Sequence, residues 1–220
     1  MKAGTVLIFS VLIAFCSPQP QNRIILCAGD SITEIGYPPF LERILKNEGI
    51  RAKILNRGKS GHNSKEYLAY LETNKKEMAA SFPDFICLQL GTNDVRTDHD
   101  NTPADEFYAN MKEIVHLFRN FRTRSGSTPH ILLATIPPIP DNSSFPFSPV
   151  STERVKQEIN PLIQKIADEE NCTLVDNFSV FLRSQDMLPE IHPTDKGYEA
   201  MAQNWYTALK KEGVQPKRNP

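Results

Sequence analysis

Short apolar runs alternate with longer segments of helical periodicity along the chain. Each short run is bounded by glycine, proline or polar residues, which favours a strand that is buried on both faces. We predict strands at residues 23–28, 52–56, 84–90, 130–136 and 173–176. Strands that alternate with helices are typical of βαβ units, and they therefore predict a parallel sheet in an α/β fold.

The segments between the strands carry apolar residues at the spacing of one helix face. Three such stripes are expected to pack into the core rather than contact a cofactor: Phe107, Met111, Ile114, Phe118 and Phe121; Val155, Ile159, Leu162, Ile163 and Ile166; and Tyr198, Met201, Ala202, Trp205, Ala208 and Leu209. Thr102 is predicted to cap the first of these helices, with Pro103 at the first helical position. Pro161 predicts a local kink in the second, because proline lacks the backbone N–H.

The first sixteen residues have the pattern of a membrane-targeting segment. Met1-Lys2 precede an apolar run from residue 3 to 16 that is too short to span a bilayer comfortably. We predict that residues 1–16 are a secretory signal peptide, and the alternatives are an uncleaved N-terminal anchor or lipid attachment at Cys16. The expected location is therefore secreted or periplasmic, with no integral membrane span in the mature chain.

The rest of the chain is predicted to form one domain, residues 22–212, followed by a flexible tail, residues 213–220. A length of 220 residues with 40% hydrophobic content is sufficient for one core. The 25 basic and 26 acidic residues give a net charge of −1, which argues against a nucleic-acid partner. The cysteines are too few and scattered for a disulfide framework, and the three beyond residue 16 are expected to be buried free thiols.

Two short motifs suggest other chemistry, but neither fits in full. Gly58-Lys59-Ser60 is similar to the end of a P-loop, yet Lys53 occupies the position where that motif requires glycine. A second segment is acidic but has neither the glycine-centred spacing of a calcium loop nor an H-E-x-x-H helix: Asp94, Asp98, His99 and Asp100. The sequence therefore predicts no metal site.

Polar turns that contain glycine follow the first three predicted strands. Ser31, Gly61 and Asn93 lie in these turns, and His192 lies between the last strand and the last helix. Because the carboxyl ends of parallel strands share one edge of a sheet, we expect these residues to meet there. A hydroxyl, backbone amides, an amide side chain and an imidazole are the groups that acyl transfer needs around a tetrahedral intermediate.

Four segments in this order resemble the sequence blocks of the GDSL/SGNH hydrolases: Gly29-Asp30-Ser31-Ile32, Asn56-x-Gly58-x-x-Gly61, Gly91-x-Asn93-Asp94 and Ile191-His192-Pro193. The resemblance covers nearly the whole mature chain, and each block lies after a predicted strand. It implies a three-layer α/β/α sandwich with a flavodoxin-like, five-stranded parallel sheet in the order 2-1-3-4-5. It also implies hydrolysis of ester or thioester bonds without a metal or cofactor.

The resemblance also implies roles for individual residues. Ser31 would be the nucleophile and His192 the base, and the oxyanion would be held by the backbone N–H groups of Ser31 and Gly61 and by the side-chain amide of Asn93. The family usually has an aspartate three residues before the histidine, but Pro189 occupies that position here. The group that orients the imidazole is therefore open.

Two carboxylates are candidates for that orienting group. Glu190 lies two residues before His192, on the same side of an extended segment, and Asp186 lies six residues before it. We predict Glu190 as the third catalytic residue, because triads are recognised by geometry rather than by sequence position. The alternatives are a Ser-His dyad oriented by a backbone carbonyl and an impaired site.

The proline-rich stretch of residues 137–149 follows the fourth strand and is expected to wall the binding cleft. Phe145 and Phe147 are candidates for stacking on a sugar or packing on an acyl chain. We predict hydrolysis of short acyl esters, with a small-molecule or carbohydrate ester as substrate. The alternatives are a lysophospholipase or thioesterase, an acyltransferase, and a binding module that keeps the fold without turnover.

Overall fold

A five-stranded parallel sheet forms the middle layer of the structure, a computed structural model that describes residues 22–182 and 184–216. The strands are β1 (Arg23–Gly29), β2 (Ala52–Gly58), β3 (Phe85–Gln89), β4 (His130–Ala134) and β5 (Thr173–Val175), and they lie in the order β2-β1-β3-β4-β5. All five predicted strands and their predicted order are confirmed. The predicted signal peptide, residues 1–16, lies outside the described residues.

Helices cover both faces of the sheet. They are α1 (Ser31–Glu34), α2 (Pro38–Asn47), α3 (Ser64–Ala79), α4 (Ala104–Arg119), α5 (Pro149–Arg154), α6 (Asn160–Glu169), α7 (Phe178–Leu182) and α8 (Asp195–Lys211). Side chains of α3, α4 and α6 pack on one face, and those of α2 and α8 pack on the other. The three predicted apolar stripes lie in these two layers of core, and the three-layer α/β/α architecture is confirmed.

The inner strands are mainly apolar because both of their faces are covered, and Arg23, Gln89 and His130 stand at strand ends. In β1, Leu26 faces the α3 side and Cys27 faces the α8 side. Cys27 pairs in register with Cys87 of β3, and both are free, buried thiols as predicted, whereas Cys172 is only partly buried. Burial raises the pKa of the Cys87 thiol, so this group is held uncharged in the core.

The chain near two prolines differs from the helices that the sequence pattern predicts. Pro103 has an extended backbone (φ −56°, ψ 150°), so α4 begins at Ala104, one residue later than predicted. Before Pro161 the chain forms a π-helical turn, Val155–Ile159, between α5 and α6. Because proline has no N–H to donate, the wider turn accommodates the missing hydrogen bond where the sequence predicted a kink.

The predicted flexible tail, residues 213–220, begins with residues that remain packed after α8, and residues 217–220 lie outside the described residues. Val214 is buried, and its N–H donates to the carbonyl of Leu209 at 2.9 Å. Across residues 22–182 and 184–216, no helix combines the length and the apolar character needed to cross a bilayer.

Candidate active site

The hydroxyl of Ser31 and the imidazole of His192 meet at the carboxyl edge of the sheet. Oγ of Ser31 lies 2.8 Å from Nε2 of His192, although 161 positions separate the two residues in sequence. Ser31 begins α1 because Asp30 caps this short helix, its Oδ1 accepting a hydrogen bond of 3.0 Å from the N–H of Ile32. The parallel topology thus brings the predicted nucleophile and the predicted base to hydrogen-bonding distance.

The loop that carries His192 is closed at its base. The N–H of Thr194 donates to the carbonyl of Met187 at 2.9 Å, and the hydroxyl of Thr194 caps α8 by accepting from the N–H of Gly197 at 3.3 Å. A Cβ on Gly197 would lie 2.5 Å from the carbonyl oxygen of Met187, so glycine is required for this close approach. The start of α8 therefore fixes the base of the His192 loop.

His192 is half-buried, and its surroundings affect its charge. Burial lowers the pKa of the imidazole below its ordinary value, and the negative charge of Glu190 partly offsets that effect. The imidazole is therefore mainly neutral at neutral pH. If Nε2 accepts the proton of the Ser31 hydroxyl, the imidazole hydrogen is on Nδ1.

Neither candidate carboxylate reaches the imidazole directly. Glu190 is exposed, and no hydrogen bond joins it to His192 in the part of the chain that the structure describes. Asp186 points to Lys196, with 3.4 Å between Oδ2 and Nζ. At Pro189, where the family usually has aspartate, the backbone carbonyl accepts a hydrogen bond of 3.3 Å from the side chain of Asn142. Glu190 thus acts on His192 through its charge in this geometry.

The carboxyl end of β2 and the turn after it lie directly against α1. The side chain of Asn56 donates to the carbonyls of Thr33 and Glu34 at 3.1 and 2.9 Å. A Cβ on Gly58 would lie 2.3 Å from the backbone nitrogen of Glu34, so only glycine permits this contact. The carboxylate of Glu34 in turn accepts from the N–H of Ser60 at 2.7 Å, and the Ser60 side chain together with this N–H lowers the pKa of Glu34.

Gly61 and Asn93 lie on neighbouring turns of the same edge. Gly61 has φ +80°, a conformation that favours glycine, and the space where a Cβ would stand is open. Asn93 follows β3 on a short 3₁₀ turn, Asn93–Val95, and its Nδ2 donates to the carbonyl of His62 at 3.0 Å. The structure therefore brings Gly61 and Asn93 onto adjoining turns at the sheet edge that carries Ser31.

One titratable group of the site was not assigned from the sequence. The carboxyl of Asp30 is completely buried beside the predicted nucleophile, and burial raises its pKa to about 6. Among the described residues, Oδ2 of Asp30 has no partner at hydrogen-bonding geometry, although the nearby Thr92 lowers the pKa. The sequence signal that could have identified this carboxyl is the position of Asp30 directly before Ser31, where an aspartate can cap a helix.

The wall predicted from residues 137–149 bridges two turns of this edge. The carbonyl of Pro146 accepts a hydrogen bond of 2.8 Å from the N–H of Thr97, and Asn142 holds Pro189 at the other end. Phe145 is 78% exposed, but Phe147 is buried in the core. The expectation that both rings face a ligand was therefore wrong for Phe147, because this ring packs inward.

The carboxylates of the acidic cluster after Asn93 are bound by other groups of the protein. Arg96 lies within ion-pair distance of Asp98 and of Asp100, at 3.2 Å for the second. Asp94 is buried and accepts hydrogen bonds from Ser64. The described residues contain no group of three or more His, Cys, Asp or Glu side chains arranged to hold a metal ion.

A family model and a protein of known activity are similar to this chain in sequence. Residues 27–200 match the model of the GDSL-like Lipase/Acylhydrolase family. An acetylxylan esterase from Xylanibacter ruminicola is 26% identical over 225 aligned positions, which include 88% of this chain and 44% of that protein. The chain thus spans less than half the length of that relative.

Two solved structures have a similar fold. An acetylxylan esterase from Geobacillus stearothermophilus has a TM-score of 0.69 at 20% identity, with 90% of this chain and 97% of that chain covered. A lipase/acylhydrolase from Enterococcus faecalis has a TM-score of 0.73 at 21% identity, with 90% and 100% covered. At such identities the likeness concerns the fold.

The family match extends over most of the chain and includes all four sequence blocks, from the first one around Ser31 to the last one around His192. The observed sheet order, the α/β/α layers and the similar solved structures agree with it. The chain therefore belongs to the GDSL-like lipase/acylhydrolase family.

Proposed function

We propose that this protein is a serine ester hydrolase in which Ser31 is the nucleophile and His192 is the general base. The observation that carries this proposal is the 2.8 Å hydrogen bond between the Ser31 hydroxyl and Nε2 of His192. As Oγ attacks the ester carbonyl carbon, its proton passes to Nε2. The tetrahedral intermediate then expels the alcohol, which takes that proton, and an acyl-Ser31 ester remains.

Water completes the cycle by the same route. His192 removes a proton from a water molecule, the hydroxide attacks the acyl carbonyl, and collapse returns the proton to the Ser31 oxygen and releases the carboxylic acid. The depressed pKa of His192 keeps the imidazole neutral, and therefore able to accept a proton, at neutral pH. Glu190 contributes a negative charge that stabilises the imidazolium formed in each half-reaction.

The negative charge that develops on the carbonyl oxygen is held by the N–H groups of Ser31 and Gly61 and by the amide of Asn93. Support comes from their places on adjoining turns and from the Asn93–His62 hydrogen bond, which occupies one N–H of the amide and leaves the other. A donor of this type is typically worth ~3–4 kcal/mol in the transition state.

The substrate class that we propose is an acetyl ester of a carbohydrate. The acetylxylan esterase relative supports this assignment at the level of sequence. The exposed ring of Phe145, on a wall held at Thr97 and at Pro189, supplies an aromatic surface at the rim that suits the apolar face of a sugar. We further propose that residues 1–16 direct the protein out of the cytoplasm, since they have the pattern of a signal peptide.

The experiment that tests the proposal measures hydrolysis of p-nitrophenyl esters from acetate to decanoate and release of acetate from acetylated xylo-oligosaccharides. We expect the acetyl esters to be the best substrates and the Ser31→Ala variant to be inactive on all of them. A fluorophosphonate probe should label wild type at Ser31 and leave Ser31→Ala unlabelled. Preference for long acyl chains would contradict the substrate class, and folded protein without turnover or labelling would indicate a binding module.

A further inference from the structure

A buried carboxylate joins two turns of the site. Asp94 has no exposed surface, and its carboxylate accepts three hydrogen bonds from one residue, Ser64. The N–H of Ser64 lies 3.0 Å from both Oδ1 and Oδ2, and the Ser64 hydroxyl lies 2.6 Å from Oδ1. Ser64 is the first residue of α3, so the carboxylate also meets the positive end of a long helix.

The Asp94–Ser64 contact lies close in sequence to both predicted oxyanion donors. Asn93 directly precedes Asp94, and Gly61 lies three residues before Ser64. The Asn93–His62 hydrogen bond and the Asp94–Ser64 contact therefore connect the same two turns at adjacent points. Two connections of this kind restrict both the separation of the turns and their relative rotation.

The surrounding groups orient the contact further. The side chain of Asn110 donates to Oγ of Ser64 at 3.1 Å, so the hydroxyl hydrogen of Ser64 is left to point at Asp94. The guanidinium of Arg154 donates to the backbone carbonyls of Asp94 and Thr102 at 2.8 and 2.7 Å. Burial raises the pKa of Asp94, which is the expected cost of keeping a carboxyl group at this place.

We propose that Asp94 is a positioning residue that, by holding Ser64, sets the distance and angle between the Gly61 N–H and the Asn93 amide in the oxyanion hole. This inference rests on the proposed function, because it requires that Gly61 and Asn93 act on the reacting carbonyl. Asp94 itself does not touch the substrate. Its effect on the rate must therefore pass through the Asn93 amide and the Gly61 turn, which gives the proposal a specific test.

The test is a double-mutant cycle between Ser64→Ala and Asn93→Ala, measured on p-nitrophenyl acetate. Ser64→Ala removes the hydroxyl that donates to Asp94 and keeps the helix start. We expect kcat to fall ~10- to 100-fold with KM changed less than ~3-fold, as for lost transition-state stabilisation. In the Asn93→Ala background the amide is absent and only the Gly61 N–H can still be displaced, so the same substitution should lower kcat by less than ~3-fold.

Ser81→Ala is the matched control. Its hydroxyl donates to the carbonyl of Met78 at 2.6 Å at the far end of α3, so a serine hydrogen bond is lost without contact to the donors. We expect its kcat to be within ~2-fold of wild type, and chemical denaturation should show that all variants are folded under assay conditions. Asp94→Asn, which keeps the volume and removes two acceptor sites, should reproduce the kcat loss of Ser64→Ala.

The outcomes separate the two levels of the inference. If Asn93→Ala lowers kcat strongly but Ser64→Ala and Asp94→Asn do not, the positioning role is wrong and the oxyanion hole stands. Equal losses from Ser64→Ala in both backgrounds also overturn the positioning role, because they indicate an independent structural effect. If Asn93→Ala itself leaves kcat unchanged, the proposed oxyanion role of Asn93 fails, and the positioning role fails with it.

Discussion

The carbonyl of His62 accepts a hydrogen bond of 3.0 Å from the side-chain amide of Asn93. This contact joins the turn after β2 to the turn after β3 and fixes which way the amide faces. An amide nitrogen carries two N–H groups, so the second remains available to a ligand. A preorganised donor of this kind acts on charge that develops in the transition state rather than on the neutral ester.

We therefore expect Asn93→Ala to lower kcat by ~10²–10³-fold with little change in KM. Steady-state kinetics on p-nitrophenyl acetate measure both parameters. Asn74→Ala is the control, since its amide donates to the carbonyl of Tyr70 within α3, at 2.8 Å, and so lies away from the turns of the site. An increase of KM at constant kcat would instead make Asn93 a residue that binds the ground state.

The pH dependence of the reaction should follow His192. Because burial lowers the pKa of the imidazole, the acid limb of kcat/KM is expected to have its midpoint below 6.5, with activity lost as His192 becomes protonated. Glu190 raises that pKa by its charge, so Glu190→Gln should move the midpoint to still lower pH. A midpoint that stays in place in Glu190→Gln would show that Glu190 does not act on the imidazole.

The size of the rate effect distinguishes a triad from a dyad. Glu190 is exposed, and within the described residues it makes no hydrogen bond to His192. Glu190→Gln should therefore lower kcat by only ~3- to 10-fold, which is much less than the loss of a buried triad acid would cause. Asp186→Asn should be close to wild type, because Asp186 pairs with Lys196 instead. A loss above ~100-fold in Glu190→Gln would mean that the loop brings this carboxylate into direct contact during turnover.

The strands and the apolar stripes could be predicted because each depends on a local period of the sequence. The sequence could also predict a common edge for Ser31, Gly61, Asn93 and His192, because the carboxyl ends of parallel strands lie at the same edge of a sheet. Burial of Phe147 could not be predicted, since an irregular loop has no period to show which ring turns inward. The Asp94–Ser64 contact depends on the relative placement of β3 and α3, which no local pattern specifies.

The close approach of β2 to α1 gives a prediction about Gly58. A Cβ at this position would lie 2.3 Å from the nitrogen and 2.6 Å from the Cα of Glu34, which are backbone atoms that cannot rotate away. Gly58→Ala should therefore destabilise the fold by ~1–3 kcal/mol in chemical denaturation, as overpacking does. Gly126→Ala tests whether glycine loss alone matters less, since nothing lies within 4 Å of its would-be Cβ and only its positive φ is strained. Equal effects would exclude the steric explanation.

The buried carboxyl of Asp30 predicts an unusual dependence of stability on pH. Its folded-state pKa is raised from 3.8 to about 6, so the native state retains a proton that the unfolded chain has lost across this range. The stabilisation is complete below pH 3.8 and is lost as pH rises through about 6. A shift of about two units corresponds to ~3 kcal/mol.

Asp30→Asn removes this titration and keeps an oxygen that can accept from the N–H of Ile32. Relative to Asp30→Asn, we therefore expect the free energy of unfolding of wild type to fall by up to ~3 kcal/mol between pH 4 and 7.5, measured by urea denaturation. Glu34→Gln tests a pH dependence of the opposite sign. The Ser60 side chain and N–H lower the folded-state pKa of Glu34, so the stabilisation from this carboxylate is lost as pH falls. If wild type and Asp30→Asn run parallel across this range, the Asp30 carboxyl does not carry the extra proton, and it remains ionised beside Ser31 despite its burial.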